Sequence, residues 1–253
     1  MHILLTNDDG LKGTGIQILK AEMAAYADEL TLVAPSGERS AASHSLTIHR
    51  ALYCHERAKT EPHIREIAVA GTPVDCVKMA VEYFLKDNKP DLIISGINNG
   101  YNLGSDVLYS GTVAAAMEGP YYGIPSMAVS MARMDEGRCV AVAGLVREIV
   151  QSLFVERRFH GILNVNIPPQ GEISLDNARV VPQTVQIYHN VIAEREDLDG
   201  SRCYRILGDI DMDTAPEGTD VAAIRNSHIT LTPLHWQQTA VERFDEVKAI
   251  LMT

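Results

Sequence analysis

The chain has 253 residues, with 22 Lys+Arg against 33 Asp+Glu and a formal charge of −11. Hydrophobic residues make up 46% and charged residues 22%, a globular balance on a chain long enough to bury a core without disulfides or structural metal. Disordered and fibrous classes are excluded, no apolar run reaches the roughly 18 residues of a membrane span, and the acid excess argues against a nucleic-acid polymer as partner.

The first five residues form an apolar run stopped by the turn formers Asn7-Asp8-Asp9-Gly10, which predicts a buried strand. Ile16, Leu19, Met23 and Tyr26 then follow a helical period, and 30–34 is a second apolar run closed by Pro35. Residues 73–85 read as a helix, 91–95 as a strand, 112–118 as a helix after a glycine-rich loop, 126–130 as a strand, and 138–154 as a helix. A further strand is expected at 162–167. Apolar strands alternating with helices over short connections predict an α/β fold with a parallel sheet and helices on both faces. Beyond Pro168 the rhythm changes: 170–227 reads as short strands and turns without helical periodicity, 228–234 as a strand and 240–251 as a helix. The expected organisation is an α/β core over 1–168 with a β-rich elaboration and returning tail over 169–253, forming one structural unit.

Ligands of open α/β sheets bind outside the carboxyl ends of the strands. Three polar clusters fall at such ends: 7–10, 38–43 and 95–104. Adjacent carboxylates at Asp8 and Asp9 repel, so a site that keeps both ionised holds a cation. Ser40 and Asn98 add neutral oxygen donors, and this hard set suits Mg²⁺, Mn²⁺ or Ca²⁺ rather than zinc. The same tetrapeptide also fits a plain turn whose side chains cap the backbone.

Ser110-Gly111-Thr112 followed by alanines reads as a capped helix start entered from a glycine loop. Such an end can seat a phosphate through free N–H groups and the helix dipole; taken alone it reads first as an ordinary capped helix. Residues 91–132 contain no Lys or Arg, so an anion there relies on amides, hydroxyls and a metal, with Arg39 the nearest candidate cation. The −11 charge repels an anionic substrate through its global field, so an anion-binding function needs strong local compensation, and at a site without basic side chains this predicts a strict need for metal.

Other chemistries lack their motifs. There is no G-x-x-x-x-G-K-[ST] loop, and Gly13-Thr14-Gly15 has Ile18 where a dinucleotide fingerprint needs its third glycine. No G-x-S-x-G elbow surrounds Ser126 or Ser130, and no histidine pair has zinc spacing. The pairs Tyr83-Phe84 and Tyr121-Tyr122 read as packing, whereas Tyr101 in the glycine loop is a candidate pocket residue. Cys54, Cys76, Cys139 and Cys203 are scattered with no C-x-x-C, which reads as reduced thiols of a cytoplasmic protein without a secretory leader.

Several ordered motifs together resemble the SurE family of survival-protein nucleotidases. They are Asn7-Asp8-Asp9-Gly10, Arg39-Ser40-x-Ala42-Ser43-x-Ser45-Leu46-Thr47, Gly71-Thr72-Pro73-x-Asp75-Cys76-Val77 and Ser95-Gly96-Ile97-Asn98-x-Gly100-x-Asn102-Leu103-Gly104. The run from Asp106 through Tyr109-Ser110-Gly111-Thr112 to Gly119 is the longest, and Gly218-Thr219-Asp220 and 229–234 extend the likeness nearly to the carboxyl end. Residues 172–217 carry little that matches. The resemblance implies a metal-dependent phosphomonoesterase acting on nucleoside 5′-monophosphates, and also on 3′-nucleotides and short polyphosphate. It implies one divalent ion, Mg²⁺ or Mn²⁺, per subunit, held by Asp8, Asp9, Ser40 and Asn98. It further implies a Rossmann-like core and a homodimer or homotetramer that exchanges its carboxyl-terminal region.

On this reading the ion polarises a phosphoryl oxygen and helps activate water, while Asn102, Ser110, Gly111 and Thr112 hold the phosphate. Asp8 or Asp9 orients or deprotonates the water. Two alternatives remain at this level. An aspartyl-phosphate phosphatase is disfavoured because its carboxylates normally stand two residues apart; the other is a non-catalytic nucleotide-binding or assembly module.

Overall fold

The computed structural model describes residues 1–59, 61–185, 188–197, 201–210 and 212–251. In chain order the strands are β1 (His2–Thr6), β2 (Glu29–Pro35), β3 (Cys54–Glu56), β4 (Ile64–Val69), β5 (Leu92–Asn99), β6 (Ser126–Met131), β7 (Ile162–Ile167), β8 (Ala178–Val180), β9 (Tyr188–Glu196), β10 (Arg202–Ile210) and β11 (Ile229–Leu234). The helices are α1 (Thr14–Ala24), α2 (Pro73–Met79), α3 (Gly111–Tyr121), α4 (Glu136–Ile149), α5 (Asp220–Arg225) and α6 (Phe244–Leu251).

Nine strands form one sheet in the order β3-β4-β2-β1-β5-β6-β7-β11-β8. The central run from β4 to β7 is parallel, whereas β3 on β4 and β11 on β7 are antiparallel. Helices cover both faces: α1 and α4 pack together on one, α2 and α3 on the other. The strands β1, β5, β6 and β7 are buried at every position but the last two of β5, as expected of strands sandwiched between helix layers. The α/β expectation and the added β-rich region are borne out, the latter including a two-stranded antiparallel ribbon, β9–β10.

Four local readings are corrected. β3 and β4 went unseen because β3 is an exposed edge and β4 interrupts its apolar residues with Arg65 and Glu66. Glu66 is buried there because Lys20 (2.8 Å) and Arg57 (3.2 Å) neutralise it. Within 170–227, α5 is a helix of six residues, too short to show a period although its Val-Ala-Ala-Ile run is buried. The helices expected over 73–85 and 138–154 end in π-helical turns, Ala80–Phe84 and Val150–Glu156. The tail opens with a 3₁₀ turn at Val241–Arg243 before α6. Residues 186–187, 198–200 and 211, inside the expected β-rich stretch, lie outside the described residues.

Strand order reverses at β1, with β2 and β4 on one side and β5, β6 and β7 on the other. The crevice at the carboxyl ends of β1 and β5 is therefore the switch point where such sheets bind ligands. Thr6 pairs with Ser95 there, which brings the loops that follow the two strands side by side.

Candidate active site

Asn7 shapes the first loop: its amide donates to the Gly10 carbonyl (3.0 Å) and accepts from the Gly10 N–H (3.0 Å). This closed turn carries Asp8 and Asp9 past the strand end, where both can face the same side. On the neighbouring strand the β5–β6 register shifts between Ser95 and Asn98, an irregularity that re-aims the end of the strand. Helix α1 packs directly beneath it. A Cβ on Gly15 would lie 2.0 Å from the Ile97 carbonyl oxygen, so only glycine admits this approach.

The two loops open into a cleft of about 460 Å³ lined by Asp8, Asp9, Glu38, Ser40, Ala41, Asn98, Asn99, Gly100, Tyr101, Asn102, Asp106, Tyr109 and Ser110. That volume falls in the roughly 300–1,000 Å³ range of small-molecule sites. All four expected metal-binding residues meet here, although their sequence positions span 8 to 98. Ser40 stands on the exposed lip and donates to Glu38 Oε1 (2.6 Å), which leaves its lone pairs for a ligand. Asn98 donates its amide N–H to the Gly100 carbonyl (3.0 Å), so its carbonyl oxygen is the available donor atom.

The loop bearing Ser40 is pinned along its length. Arg39 N–H donates to the Asp8 carbonyl (2.7 Å), Ser43 N–H to the Tyr109 carbonyl (3.0 Å) and Ser43 Oγ to the Leu108 carbonyl (2.7 Å). Further along, His44 meets the buried Glu118 (2.6 Å), and Thr47 N–H donates to Asp75 (2.9 Å), which also closes the capping box of α2. The Arg39 guanidinium donates to the Gly71 carbonyl (3.3 Å) and does not line the cleft, so it is a loop anchor rather than the site's cation.

Burial raises the pKa of Asp8, opposed by the Thr112 hydroxyl and nearby backbone amides. Asp9 is pushed up to about 6, chiefly by burial and then by the charges of Asp8 and Glu38. Asp106 is likewise raised to about 6 by burial and by Asp220. Among the described residues no Lys, Arg or His lines this cleft, and no cation contributes to the electrostatics of Asp8 or Asp9. Asp8 and Asp9, crowded together beside neutral oxygens with no Lys, Arg or His on the lining among the described residues, are a donor set that a hard divalent cation fits.

This electrostatic cost makes a testable statement about stability. A carboxyl whose folded pKa lies above its unfolded value near 3.8 favours the fold at low pH and loses that contribution as pH rises to about 6. Chelator-treated Asp9→Asn is therefore expected to be more stable than wild type at pH 7.5 by about 1 kcal/mol, roughly 2–4 °C in Tm, after discounting for solvent screening. The difference should vanish near pH 4. Thermal melts across this range with and without Mn²⁺ check it, and a Tm gap independent of pH would refute the charge origin.

The residues expected to hold phosphate divide into two groups. Asn102 and Ser110 line the cleft. Ser110 Oγ accepts from the Val113 N–H (3.1 Å) as the N-cap of α3, and its hydroxyl proton remains to donate. Asn102 gives one amide N–H to Ser130 Oγ (2.6 Å), while its backbone is clasped by Asn164 and Asn166. Gly111 and Thr112 do not line the cleft; they stand behind Asp8. Thr112, fully buried, donates its hydroxyl to Asp8 Oδ1 (2.5 Å), and a Cβ on Gly111 would come within 3.1 Å of the Asp8 side chain. Thr112 thus positions the Asp8 carboxylate, a contact that a helix-cap motif in sequence does not reveal. Asp106 and Tyr109 also line the cleft, which no sequence signal marks; both sit on the 3₁₀ turn Gly104–Leu108 or just after it, beside the start of α3.

The fold and this cleft define a class: a Rossmann-like α/β protein with an acidic, oxygen-lined site at its switch point and a helix amino terminus behind it. The family model described as Survival protein SurE matches residues 3–190, and the chain belongs to that family. It is 38% identical over 256 residues to a protein named 5′-nucleotidase SurE from Clostridium botulinum (strain ATCC 19397 / Type A), covering 100% of both chains. A protein of the same name from Heliobacterium modesticaldum is 40% identical over 248 residues, covering 98% of this chain and 90% of that one. Among solved structures, the SurE protein of Aquifex aeolicus superposes with a TM-score of 0.80 at 32% identity, covering 99% of this chain and 100% of that chain.

Proposed function

We propose that this chain is a divalent-metal-dependent 5′-nucleotidase that hydrolyses nucleoside 5′-monophosphates to nucleoside and phosphate, with 3′-nucleotides and short polyphosphate as further substrates. The observation that carries this reading is the meeting of Asp8, Asp9, Ser40 and Asn98 in one cleft that no cationic side chain lines among the described residues, next to the amino terminus of α3. The names of the relatives agree with it.

Asp8, Asp9, Ser40 and Asn98 would hold one Mg²⁺ or Mn²⁺. Such an ion supplies Lewis-acid stabilisation of phosphoryl charge and lowers the pKa of water. The protein's own groups do the rest. Thr112 fixes the Asp8 carboxylate through a charge-assisted hydrogen bond, worth about 1.5–3 kcal/mol. Asp9, less constrained and only half-buried, orients the attacking water and takes its proton. The Ser110 hydroxyl and the dipole of α3 stabilise the equatorial phosphoryl oxygens.

Phosphate release from AMP and GMP with Mn²⁺ or Mg²⁺, before and after chelation, tests the proposal. Release should fall to background with chelator and return when metal is restored. Release that survives chelation would remove the metal, and none under any metal would leave only the binding-module reading.

The carboxyl-terminal region supports assembly into a homodimer or homotetramer by exchange. Helix α6 buries no residue and shows Phe244, Val247 and Leu251 along one face. The ribbon β9–β10 pairs only with itself among the described residues, and a lone two-stranded ribbon is marginal in water. In this reading 1–168 is the catalytic core, and 169–253 is the arm that also lends β8 and β11 to the sheet. We place the protein in the cytoplasm, where four free thiols are at home; among the described residues no helix is long and apolar enough to cross a membrane.

A further inference from the structure

The cleft is polar almost throughout, and the side chains that offer it apolar surface are Ala41, Tyr101 and Tyr109. The two tyrosines differ in what their rings do. Tyr101 packs against the buried group Leu103, Val221 and Ile224, so it belongs to the wall. Tyr109 is 62% exposed and has no ring or cation–π contact among the described residues.

A single exposed aromatic is common on protein surfaces. Three observations set Tyr109 apart. It lies on the rim of the cleft that holds the carboxylates. It immediately precedes Ser110, so ring and phosphate cradle are adjacent along the chain. Its backbone is held from both sides: the N–H donates to the Asp106 carbonyl (2.9 Å), and the carbonyl accepts from Ser43 N–H (3.0 Å). The ring therefore projects from a fixed base, so little backbone ordering is needed when a flat partner settles on it.

We infer that Tyr109 is the stacking platform for the nucleobase, and that this ring selects nucleotides over phosphomonoesters that lack an aromatic group. This deepens the nucleotidase reading and rests on it. Stacking on an aromatic face tolerates any base, because every base has a π-face. The ring thus accounts for recognition of nucleotides as a class, with purines favoured over pyrimidines through their larger stacked area.

The test compares AMP with ribose 5-phosphate, which keeps the sugar and the phosphate and lacks the base. The readout is the ratio of kcat/KM for the two substrates, measured with Mn²⁺ for wild type, Tyr109→Ala and Tyr109→Phe. Wild type should favour AMP. Tyr109→Ala should lower the ratio about five- to hundredfold, mainly through KM for AMP, and Tyr109→Phe should keep it within about twofold. Equal losses on both substrates would leave the ratio unchanged and overturn the platform in favour of a structural role. Wild type that turns over both substrates with no advantage for AMP overturns the platform alone. Wild type that releases phosphate from no nucleotide overturns the nucleotidase reading and the platform with it.

Discussion

Replacing Asp9 by Asn is expected to reduce metal-dependent phosphate release by about 10³-fold or more. This exceeds the ~10–100-fold typical of losing a group that merely supports a ligand, because both the cation's charge partner and the proton acceptor are lost. Asp8→Asn should fall as far, although an asparagine oxygen still accepts from Thr112. The fold should survive both changes, since the loop is closed by Asn7 and Gly10 rather than by either carboxylate. Initial rates across a metal titration, with circular dichroism and melting curves on the same samples, check this. Full activity in both variants would sink the metal site. Loss of fold would return Asp8 and Asp9 to the role of turn residues.

A second large effect is expected at Asp220, which is fully buried at the start of α5. Its carboxylate accepts from the backbone N–H groups of Gly104 (2.7 Å), Thr184 (3.0 Å) and Val221 (2.9 Å). It thereby staples the carboxyl-terminal segment to the loop that carries Asn102 and Asp106, and Gln183 adds a bond to the Gly104 carbonyl. Asp220→Ala strands these amides. At about 1–3 kcal/mol per unsatisfied buried donor, with partial relaxation, a loss of roughly 3–5 kcal/mol is expected, on the order of 10 °C in Tm. Activity below the melting range should fall as well, because the cleft's far wall loosens. A melting point within about 2 °C of wild type would show that the staple is dispensable.

How much was legible follows from what each element requires. β1, β2, β5, β6 and β7 are nearly continuous apolar runs because helices cover both sheet faces, and such runs are visible locally. β4 was not legible, since Arg65 and Glu66 look like surface residues until Lys20 and Arg57 are brought to Glu66 from other elements. The residues proposed to hold the metal were legible because each lies in or beside turn-forming or glycine-rich sequence near the carboxyl end of a strand, Asn98 within the last residues of β5. The use of Thr112 was not: a buried hydroxyl behind Asp8 and a phosphate donor look alike in a Ser-Gly-Thr cap.

The amino-acid sequence by itself determined the strand–helix alternation, the presence of candidate oxygen donors at 8, 9, 40 and 98 and the absence of basic residues over 91–132. These are matters of composition and short-range pattern. Only the tertiary structure decided that Asp8, Asp9, Ser40 and Asn98 share one cleft, that the Arg39 guanidinium binds the Gly71 carbonyl and stays off the cleft lining, and that Tyr109 stands exposed on the rim. Those facts depend on the strand order at β1 and on the bonds that pin the loops, and both join residues far apart in the chain.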